Sequence, residues 1–413
     1  MTDVLKGMRI VEGSAFVAVP LAGMTLAQMG ADVIRFDRIG GGLDAGRWPV
    51  APSGQSLFWA GMNKGKRSIA VDMKSPEGKE LITRIITAPG EDAGMFLTNL
   101  RVRGWMDHET LSQHRRDLIM VTLMGDRHGR PQVDYTVNPA LGIPDMTGPE
   151  EYEGPVANAL PAWDLVAGNM VVSALLAAER HRLRTGEGQD VELSLKDVAA
   201  ATLGHLGMIG DAVVNDAPRG KAGNALYGAY GQDFVCADGK RIMVIGLTAR
   251  QWSGLVKVTE TADQMAALEA RTGKDLKDEG VRWALRQEIT HILKPWFAQH
   301  PGPRISQQFD AAGVTWSQFR SVKEAVAEDT DLSPDNPMFE QLHQPGLGTF
   351  PVPGSPMSFS RHARKSPQKA PDLGAHTEEI LGDVVRMTDA EIARLFDTGV
   401  VQSPNYAVGR SAA

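Results

Sequence analysis

Residues 8–36 read MRIVEGSAFVAVPLAGMTLAQMGADVIRF, and this stretch decides the fold. Met8 to Val11 is a short apolar run that predicts a strand, and Asp32 to Phe36 predicts a second one. Between them, Pro20 to Met29 has helical spacing, with proline in the first turn, where its missing N–H costs nothing. The order strand, helix, strand is the unit from which parallel sheets are built.

The same alternation continues along the chain. Further strands are predicted at 94–97, 117–123 and 190–195, and further helices at 75–86, 108–116, 164–184 and 198–214. Strands that alternate with helices predict an α/β fold with a parallel sheet covered by helices.

A change in the sequence pattern after residue 214 predicts a second, smaller α+β domain. The linker-like run from Asn215 to Gly220 precedes two apolar runs, 234–236 and 241–244, that flank a hairpin turn. We therefore expect domains at 1–214 and 215–330. Residues 331–413 would supply a Pro- and Gly-rich extended connector at 345–356 and complete the large domain, with a capping box at Thr388 opening the last helix.

Composition excludes several classes of protein. A chain of 413 residues with 42% hydrophobic side chains can fill two cores. The single cysteine, Cys236, excludes an intrachain disulfide and fits a reducing compartment, so we expect a cytoplasmic protein. A net charge of -7 argues against non-specific nucleic-acid binding. The apolar run Met170–Ala178 is too short to cross a bilayer, so no membrane role is expected.

Asp164 opens the long apolar helix predicted to end near Arg184. Unpaired amides and the helix dipole favour a charged carboxylate in a first turn, so we expect Asp164 to be ionised at neutral pH. Such a group can cap the helix or act as a nucleophile. Aspartate at a helix start is more often a cap, and the spacing alone favours that interpretation.

Familiar catalytic motifs are missing. The loop 13–19 follows the first strand at a ligand-binding position, but it lacks the G-x-G-x-x-G pattern of dinucleotide sites. The chain contains no H-E-x-x-H metal motif and no G-x-S-x-G serine elbow. We therefore expect no metal and no redox cofactor.

Basic residues cluster beside the predicted strand ends. Each of them can be a solvated flank, which is the common case for lysine and arginine. Together they could hold a phosphorylated ligand. The three clusters are Arg35 and Arg38; Lys64, Lys66, Arg67 and Lys74; and Arg101 and Arg103.

A series of motifs in order resembles the family III CoA-transferases over nearly the whole chain. The motifs are Leu5–Val11, Leu26–Ile34, Asn63–Asp72, Thr98–Arg101, the Asp164 helix ending in Thr185–Gln189, and Ala370–Thr377. The resemblance implies a Rossmann-like large domain with a smaller domain between its two parts, and an interlocked homodimer. It also makes Asp164 the nucleophile, which forms an aspartyl-CoA thioester.

By matching position, the resemblance implies a CoA site and an acyl-CoA substrate, with no cofactor beyond the CoA moiety itself. The implied CoA-site residues are Val17, Ala18, Arg38, Val71, Lys74, Asn99 and Arg103.

Two departures from the family pattern narrow the expected activity. Racemases of this fold resemble the chain but carry a histidine where this sequence has Val133, so the base for α-proton abstraction is missing. Many intermolecular transferases carry a glycine-rich flap, and the chain offers only Gly246-Leu247-Thr248.

Four stretches, 11–18, 56–61, 134–139 and 335–339, resemble the members that move CoA between the two carboxyls of mesaconyl-CoA, the thioester of a branched unsaturated dicarboxylate with a four-carbon main chain. Intramolecular CoA transfer is therefore the expected activity. Intermolecular transfer to a free carboxylic acid is the first alternative, and a non-catalytic CoA-binding protein is the second.

Overall fold

The computed structural model describes residues 1–216 and 218–404. The strands, in chain order, are β1 Arg9–Gly13, β2 Asp32–Arg38, β3 Arg67–Val71, β4 Met95–Thr98, β5 Ile119–Met124, β6 Gln189–Ser194, β7 Tyr230–Val235, β8 Arg241–Gly246, β9 Thr315–Gln318, β10 Phe339–Gln344, β11 Gly348–Pro353 and β12 Val401–Gln402.

The helices follow the same numbering, and two short 3-10 turns lie at Pro144–Met146 and Thr330–Leu332. The helices are α1 Ala18–Gln28, α2 Leu57–Met62, α3 Pro76–Ile86, α4 His108–Ser112, α5 Asp134–Ala140, α6 Ala162–Thr185, α7 Leu195–His205, α8 Met208–Val214, α9 Ala249–Val258, α10 Ala262–Thr272, α11 Glu279–Ala284, α12 Arg286–Gln299, α13 Gly302–Ala312, α14 Val322–Glu328, α15 Thr377–Asp383 and α16 Asp389–Asp397.

The chain divides into two compact units. The first comprises residues 1–141, 159–211 and 330 onward, and the second comprises Gly142–Asn158 and Ala212–Asp329. Residues 142–158 therefore group with the second unit, whereas the sequence analysis placed them in the first domain. This segment is rich in glycine, proline and glutamate, which indicates a loop, but such a composition does not reveal the elements that it contacts.

The first unit contains, among the described residues, a seven-stranded sheet of order β12-β3-β2-β1-β4-β5-β6. The strands from β1 to β6 pair in parallel, with Ile10 opposite both Val33 and Met95. Only β12 is antiparallel, with Val401 opposite Val71. The inner strands are almost continuously apolar because both faces are covered by helices. The predicted α/β class with a parallel sheet is confirmed.

Helix α6 packs against α1, α7 and β5 within the first unit. By length and composition it is the one described helix that could cross a membrane, or one of two if the bent pair α7 and α8 is counted as a single span. Val171 and Leu175 are among the buried residues of this helix.

One of the helices predicted from the sequence is divided into two helices in the structure. The sequence analysis placed a single helix at 198–214, but α7 ends at His205 and α8 begins at Met208 with a bend of 66° between them. Gly207 lies in this break with a φ of 75°, a left-handed conformation that glycine adopts without steric cost and that ends an α-helix.

The second unit contains, in its described part, an antiparallel sheet of order β7-β8-β9. The predicted hairpin is confirmed, with Phe234 opposite Ile242. Helices α9 to α13 cover this sheet, and Phe234 and Phe297 stack in the core with ring centroids 4.0 Å apart. The Gly246-Leu247-Thr248 segment joins β8 to α9, and the Thr248 side chain caps that helix.

The predicted extended connector at 345–356 is wrong. Residues 339–353 form a two-stranded antiparallel hairpin of β10 and β11, with Leu342 opposite Phe350. Proline at 351 and 353 lies on this short two-stranded ribbon, where the missing N–H breaks few ladder bonds. The capping box predicted at Thr388 is confirmed by reciprocal bonds with Glu391.

Candidate active site

A cavity of about 440 Å³ lies in the first unit at the carboxyl edge of the parallel sheet. Parallel strands bring the loops after β1, β4 and β5 to this edge, which is where open α/β sheets bind ligands. The start of α6 adds Asp164 to the wall. The other principal lining residues are Ala15, Phe16, Val17, Ala18, Arg47, Trp48, Phe58, Asn99, Gln132, Val133, Asp134 and Tyr135.

Asp164 lines this cavity and does not cap its own helix. Helix α6 begins at Ala162, and its N-cap residue Pro161 makes no side-chain cap. The cap comes from another element, because Oδ2 of Asp134 accepts hydrogen bonds from the amides of Trp163 at 2.7 Å and Asp164 at 3.2 Å. Of the two roles considered for Asp164, helix cap and nucleophile, the structure excludes the cap, because Asp134 caps this helix.

The surroundings of Asp164 make its carboxyl less acidic than usual. Burial, aided by the nearby Asp134 carboxylate and opposed by Arg47, raises the pKa of Asp164 to about 6. The expectation from the helix dipole was a firmly ionised group. Asp164 is still mainly ionised at neutral pH, but by a narrow margin, because burial and the nearby Asp134 carboxylate disfavour its charged form.

The loop between β1 and α1 forms one wall, and a buried ion network supports it. Arg35, only 1% exposed, donates to Asp37 at 2.8 Å, to Asp44 at 3.1 Å and to the Ser14 carbonyl at 3.1 Å. Lys66 pairs with Glu12 at 2.8 Å below the same loop. Buried charges of this kind are stable only when paired, so the network fixes the loop rather than binding a ligand.

This network corrects part of the sequence interpretation. Arg35 and Lys66 were grouped with residues that could hold phosphates, but both are buried and paired with carboxylates. Arg67 opens β3 and pairs with Asp32, which opens β2, so it lies at the opposite, amino edge of the sheet. Lys64 is buried, and this burial lowers its pKa to about 8.

Three of the predicted CoA-site residues line the cavity beside Asp164, namely Val17, Ala18 and Asn99. The amide of Asn99 is committed to the loop, since it accepts from the Ala15 N–H at 2.9 Å and donates to the Ala15 carbonyl at 2.7 Å. Asn99 therefore joins the loops that follow β1 and β4.

The remaining four predicted residues lie at the carboxyl edge but outside this cavity. Arg38 is exposed at the end of β2 and donates to the Gly41 carbonyl at 2.6 Å, and Lys74 is exposed just beyond β3. Arg103 borders a separate depression that it shares with Arg101. Val71, at the end of β3, is fully buried in the core.

Sequence reasoning missed several residues of the cavity. Asp134 was quoted only within a resembling stretch, although its position shortly after β5 is a usable signal. Gln132 has a buried amide oxygen without a hydrogen-bond partner, and Arg47 lies in a loop with no motif. Val133 lines the cavity at the position where racemases carry histidine. Among the described residues, no group of three histidine, cysteine or acidic side chains could hold a metal ion.

The fold and the cavity define an α/β protein that presents a partly buried carboxylate at a helix start to a ligand at the sheet edge. Residues 5–377 match the family model described as CoA-transferase family III, and the chain belongs to this family.

Relatives of known sequence support this family, and a solved structure shows the same fold. The 2-methylfumaryl-CoA isomerase of Chloroflexus aurantiacus is 54% identical over 98% of this chain and all of that protein. The human succinyl-CoA:glutarate CoA-transferase is 26% identical over 96% of this chain and 90% of that protein. A crystal structure of a CAIB/BAIF family protein from Brucella suis covers 93% of this chain with a TM-score of 0.75 at 24% identity.

Proposed function

We propose that this enzyme is an intramolecular CoA-transferase that converts 2-methylfumaryl-CoA into its C4 thioester by moving CoA between the two carboxyls of one mesaconyl group. The observation that carries the proposal is the 54% identity, over essentially both full lengths, to an enzyme named for this isomerisation. Other relatives, at 25–27% identity, are named for transfer between two acids.

The proposed reaction uses the Asp164 carboxylate in the cavity wall as its nucleophile. The Asp164 carboxylate attacks the C1 thioester carbonyl, the C–S bond breaks, and the CoA thiolate leaves with the electron pair, which gives a mixed anhydride. The thiolate then attacks the Asp164 carbonyl of that anhydride and releases the C1 carboxylate, which leaves an aspartyl-CoA thioester.

The second half repeats these steps at C4. The C4 carboxylate attacks the aspartyl thioester, the thiolate leaves again, and its attack on the C4 acyl carbon regenerates the Asp164 carboxylate. No net proton, electron or outside group is required, so the proposed cofactor requirement is none beyond CoA. The narrow margin by which Asp164 is ionised makes it a better nucleophile than an ordinary aspartate.

We place the acyl end of the substrate in the cavity beside Asp164, with Val17, Ala18 and Asn99 against the thioester. The exposed cations Arg38, Lys74 and Arg103 at the same sheet edge supply charge for the CoA phosphates. Val71 supports them from the core.

The proposal is tested by incubating the purified enzyme with the C1 thioester of mesaconate, with no added acid, and following both thioesters by liquid chromatography. Accumulation of the C4 thioester is the expected result. The competing function is intermolecular transfer to a free carboxylic acid, which the names of the less similar relatives favour. If product forms only after a free acid is added, the competing function is correct.

A homodimer in the cytoplasm is the proposed state of the enzyme. Helix α8 supports self-association, because none of its residues is buried and Val213 and Val214 are 76% and 81% exposed. Together with Ile209 and the neighbouring Leu206 they form an exposed apolar surface, which favours coverage by another protein surface.

A further inference from the structure

Arg47 is a cation in the wall of the active-site cavity, and its charge acts on Asp164, whose raised pKa it opposes. Among the described residues, however, its guanidinium makes no ion pair and no hydrogen bond, unlike the paired Arg35 in the network below the loop. Arg47 is partly buried, and a carboxylate from a ligand would give its guanidinium the charge-assisted hydrogen bonds that it does not make within the described chain. A cation held in this way beside a substrate pocket is suited to an anionic ligand.

Two aromatic rings fix the position of this guanidinium. Its central carbon lies 5.1 Å from the ring centroid of Phe16 and 5.2 Å from that of Phe58. Cation–π contacts use the faces of the rings and leave the N–H edge of a guanidinium free. That edge presents donors in the fork geometry that matches a carboxylate.

The Phe16 ring is itself held by the buried network. Phe16 has a φ of 68°, an uncommon left-handed conformation for a residue other than glycine. Its amide donates to both carboxylate oxygens of Asp44, at 2.9 and 3.0 Å, and Asp44 is paired with Arg35. The fold therefore maintains a strained backbone at the residue on which Arg47 rests, and such strain is common at ligand-binding positions.

We propose that Arg47 binds the free carboxylate of the dicarboxylyl group while the other carboxyl reacts at Asp164. This inference rests on the proposed isomerase function, because a substrate with a second carboxylate supplies the acceptor that the Arg47 guanidinium needs for charge-assisted hydrogen bonds. It assigns the substrate class of the pocket as thioesters of short dicarboxylates. Monocarboxylic thioesters leave the guanidinium uncompensated.

One arginine can serve both directions of the reaction. When C1 carries CoA, the C4 carboxylate binds Arg47, and when C4 carries CoA, the C1 carboxylate takes the same place. Between these two states the dicarboxylate is free of CoA, which is held as the aspartyl-CoA thioester. During this time the dicarboxylate turns around in the cavity, so that its other carboxylate comes next to Asp164. A charge-assisted contact with Arg47 retains the dianion in the cavity during this reversal and so favours intramolecular transfer.

The test compares two thioesters that differ only at the far end. Tiglyl-CoA has the shape of the C1 thioester of mesaconate, with a methyl group in place of the C4 carboxylate. Both are titrated calorimetrically into the Asp164→Asn variant, which cannot turn them over, and into Asp164→Asn combined with Arg47→Gln. We expect the single variant to bind the mesaconyl thioester about ten- to a hundredfold more tightly than tiglyl-CoA. We expect Arg47→Gln to remove this preference and to leave the Kd of tiglyl-CoA and of free CoA within about threefold.

Two controls separate a binding role from a structural one. Arg38→Gln, at an arginine outside the cavity, should weaken both thioesters equally and keep the preference. Arg47→Lys keeps the positive charge but lacks the paired N–H donors of a guanidinium. This variant should retain part of the preference for the mesaconyl thioester over tiglyl-CoA. Unchanged CoA binding shows that the Arg47→Gln protein is folded.

A preference that survives Arg47→Gln would overturn the inference, as would an equal loss of affinity for both thioesters. Isomerisation by the unmodified enzyme is measured separately. If the inference alone is wrong, the enzyme isomerises but the preference does not depend on Arg47. If the proposed function alone is wrong, the preference depends on Arg47 but no C4 thioester forms.

Discussion

At the scale of single residues, the central feature is that two aspartates, Asp134 and Asp164, have different roles at the start of α6. Asp134 caps α6, and this leaves Asp164 facing the cavity with a carboxyl whose pKa is raised to about 6. A group that caps a helix is engaged in hydrogen bonds and is a poor nucleophile. Separating the two tasks makes one carboxylate structural and leaves the other available to react.

Replacing Asp164 by alanine should abolish CoA transfer while leaving CoA binding intact. The reason is that every covalent step of the proposed mechanism passes through this carboxylate, and removing a nucleophile typically costs three or more powers of ten in rate. Initial rates on the mesaconyl thioester and a calorimetric titration with CoA measure the two properties. Turnover near that of the unmodified enzyme would assign the nucleophile to another residue.

The raised pKa of Asp164 predicts the pH dependence of the reaction. Only the ionised carboxylate attacks, so kcat/KM should rise with pH through an apparent pKa of about 6 and level off above it. The Asp134→Asn variant should shift this rising limb to lower pH, because it removes a like charge near Asp164 while its amide oxygen still accepts from the α6 amides. Burial is the larger cause, so the shift is partial. If the rise of kcat/KM with pH is at the same pH in the Asp134→Asn variant, the titrating group is not Asp164.

The sequence could predict Asp164 as a candidate nucleophile but not the environment of its carboxyl. Its position at a helix start and the series of family motifs single it out, and both signals can be read along the chain. Arg47 and Gln132 come from loops without a motif, and their relation to Asp164 exists only after folding. Likewise, nothing in the spacing of Arg35 and Lys66 reveals that carboxylates from three other positions surround them.

At the scale of elements, α1 and α6 approach closely where both border the cavity. A Cβ atom at Gly168 would lie 2.7 Å from the backbone oxygen of Ala18, which is too close for any side chain. Glycine at this position therefore sets the distance between the two helices. Asp164 lies one turn before this contact, and Ala18 is itself part of the wall.

The Gly168→Ala variant should be destabilised by about 1 to 3 kcal/mol, because a backbone atom cannot move aside without separating the helices. A thermal melt should show a Tm lower by several degrees, and KM for the thioester should rise as the wall moves. Gly204→Ala is the matched control, since a Cβ in that helix meets only the Ile209 side chain at 3.7 Å. Equal melting of the two variants would contradict this account of the contact.

Elements with a regular apolar pattern or a turn signal were predictable, and some short ones without such a signal were not. The strand and helix pattern of residues 8–36 was found from its apolar repeats, and the hairpin near 237–240 from the turn sequence between two apolar runs. Helices α2 and α5, with six and seven residues, contain too few turns to show a helical repeat. The β10–β11 hairpin was missed because its prolines suggested an extended connector.

At the scale of the whole molecule, the question is whether the acyl group leaves the enzyme during turnover. Isomerisation in the presence of isotopically labelled free mesaconate should yield a C4 thioester without label. The retained dianion has a high effective concentration beside the aspartyl-CoA thioester, which a dilute outside acid cannot match. Mass spectrometry of the product measures the label. Rapid incorporation would favour the intermolecular transferase.

The exposed apolar surface on α8 predicts self-association. Light scattering of the purified enzyme should give about twice the mass of one chain, and Val213→Lys with Val214→Lys should lower the mass or the melting temperature by adding charge to that surface. Matched changes at the exposed Val322 of α14 should leave both unchanged. A stable monomer in the unmodified protein would exclude the proposed dimer.

The short strand β12 has a consequence for how the protein is made. Val401 pairs with Val71, which leaves the ribosome 330 residues earlier. At typical synthesis rates, roughly half a minute passes during which β3 is an open sheet edge in the nascent chain. Open edges recruit other strands and promote aggregation. Slowed translation of the last third of the message should therefore lower the soluble yield, although every finished molecule has the same activity.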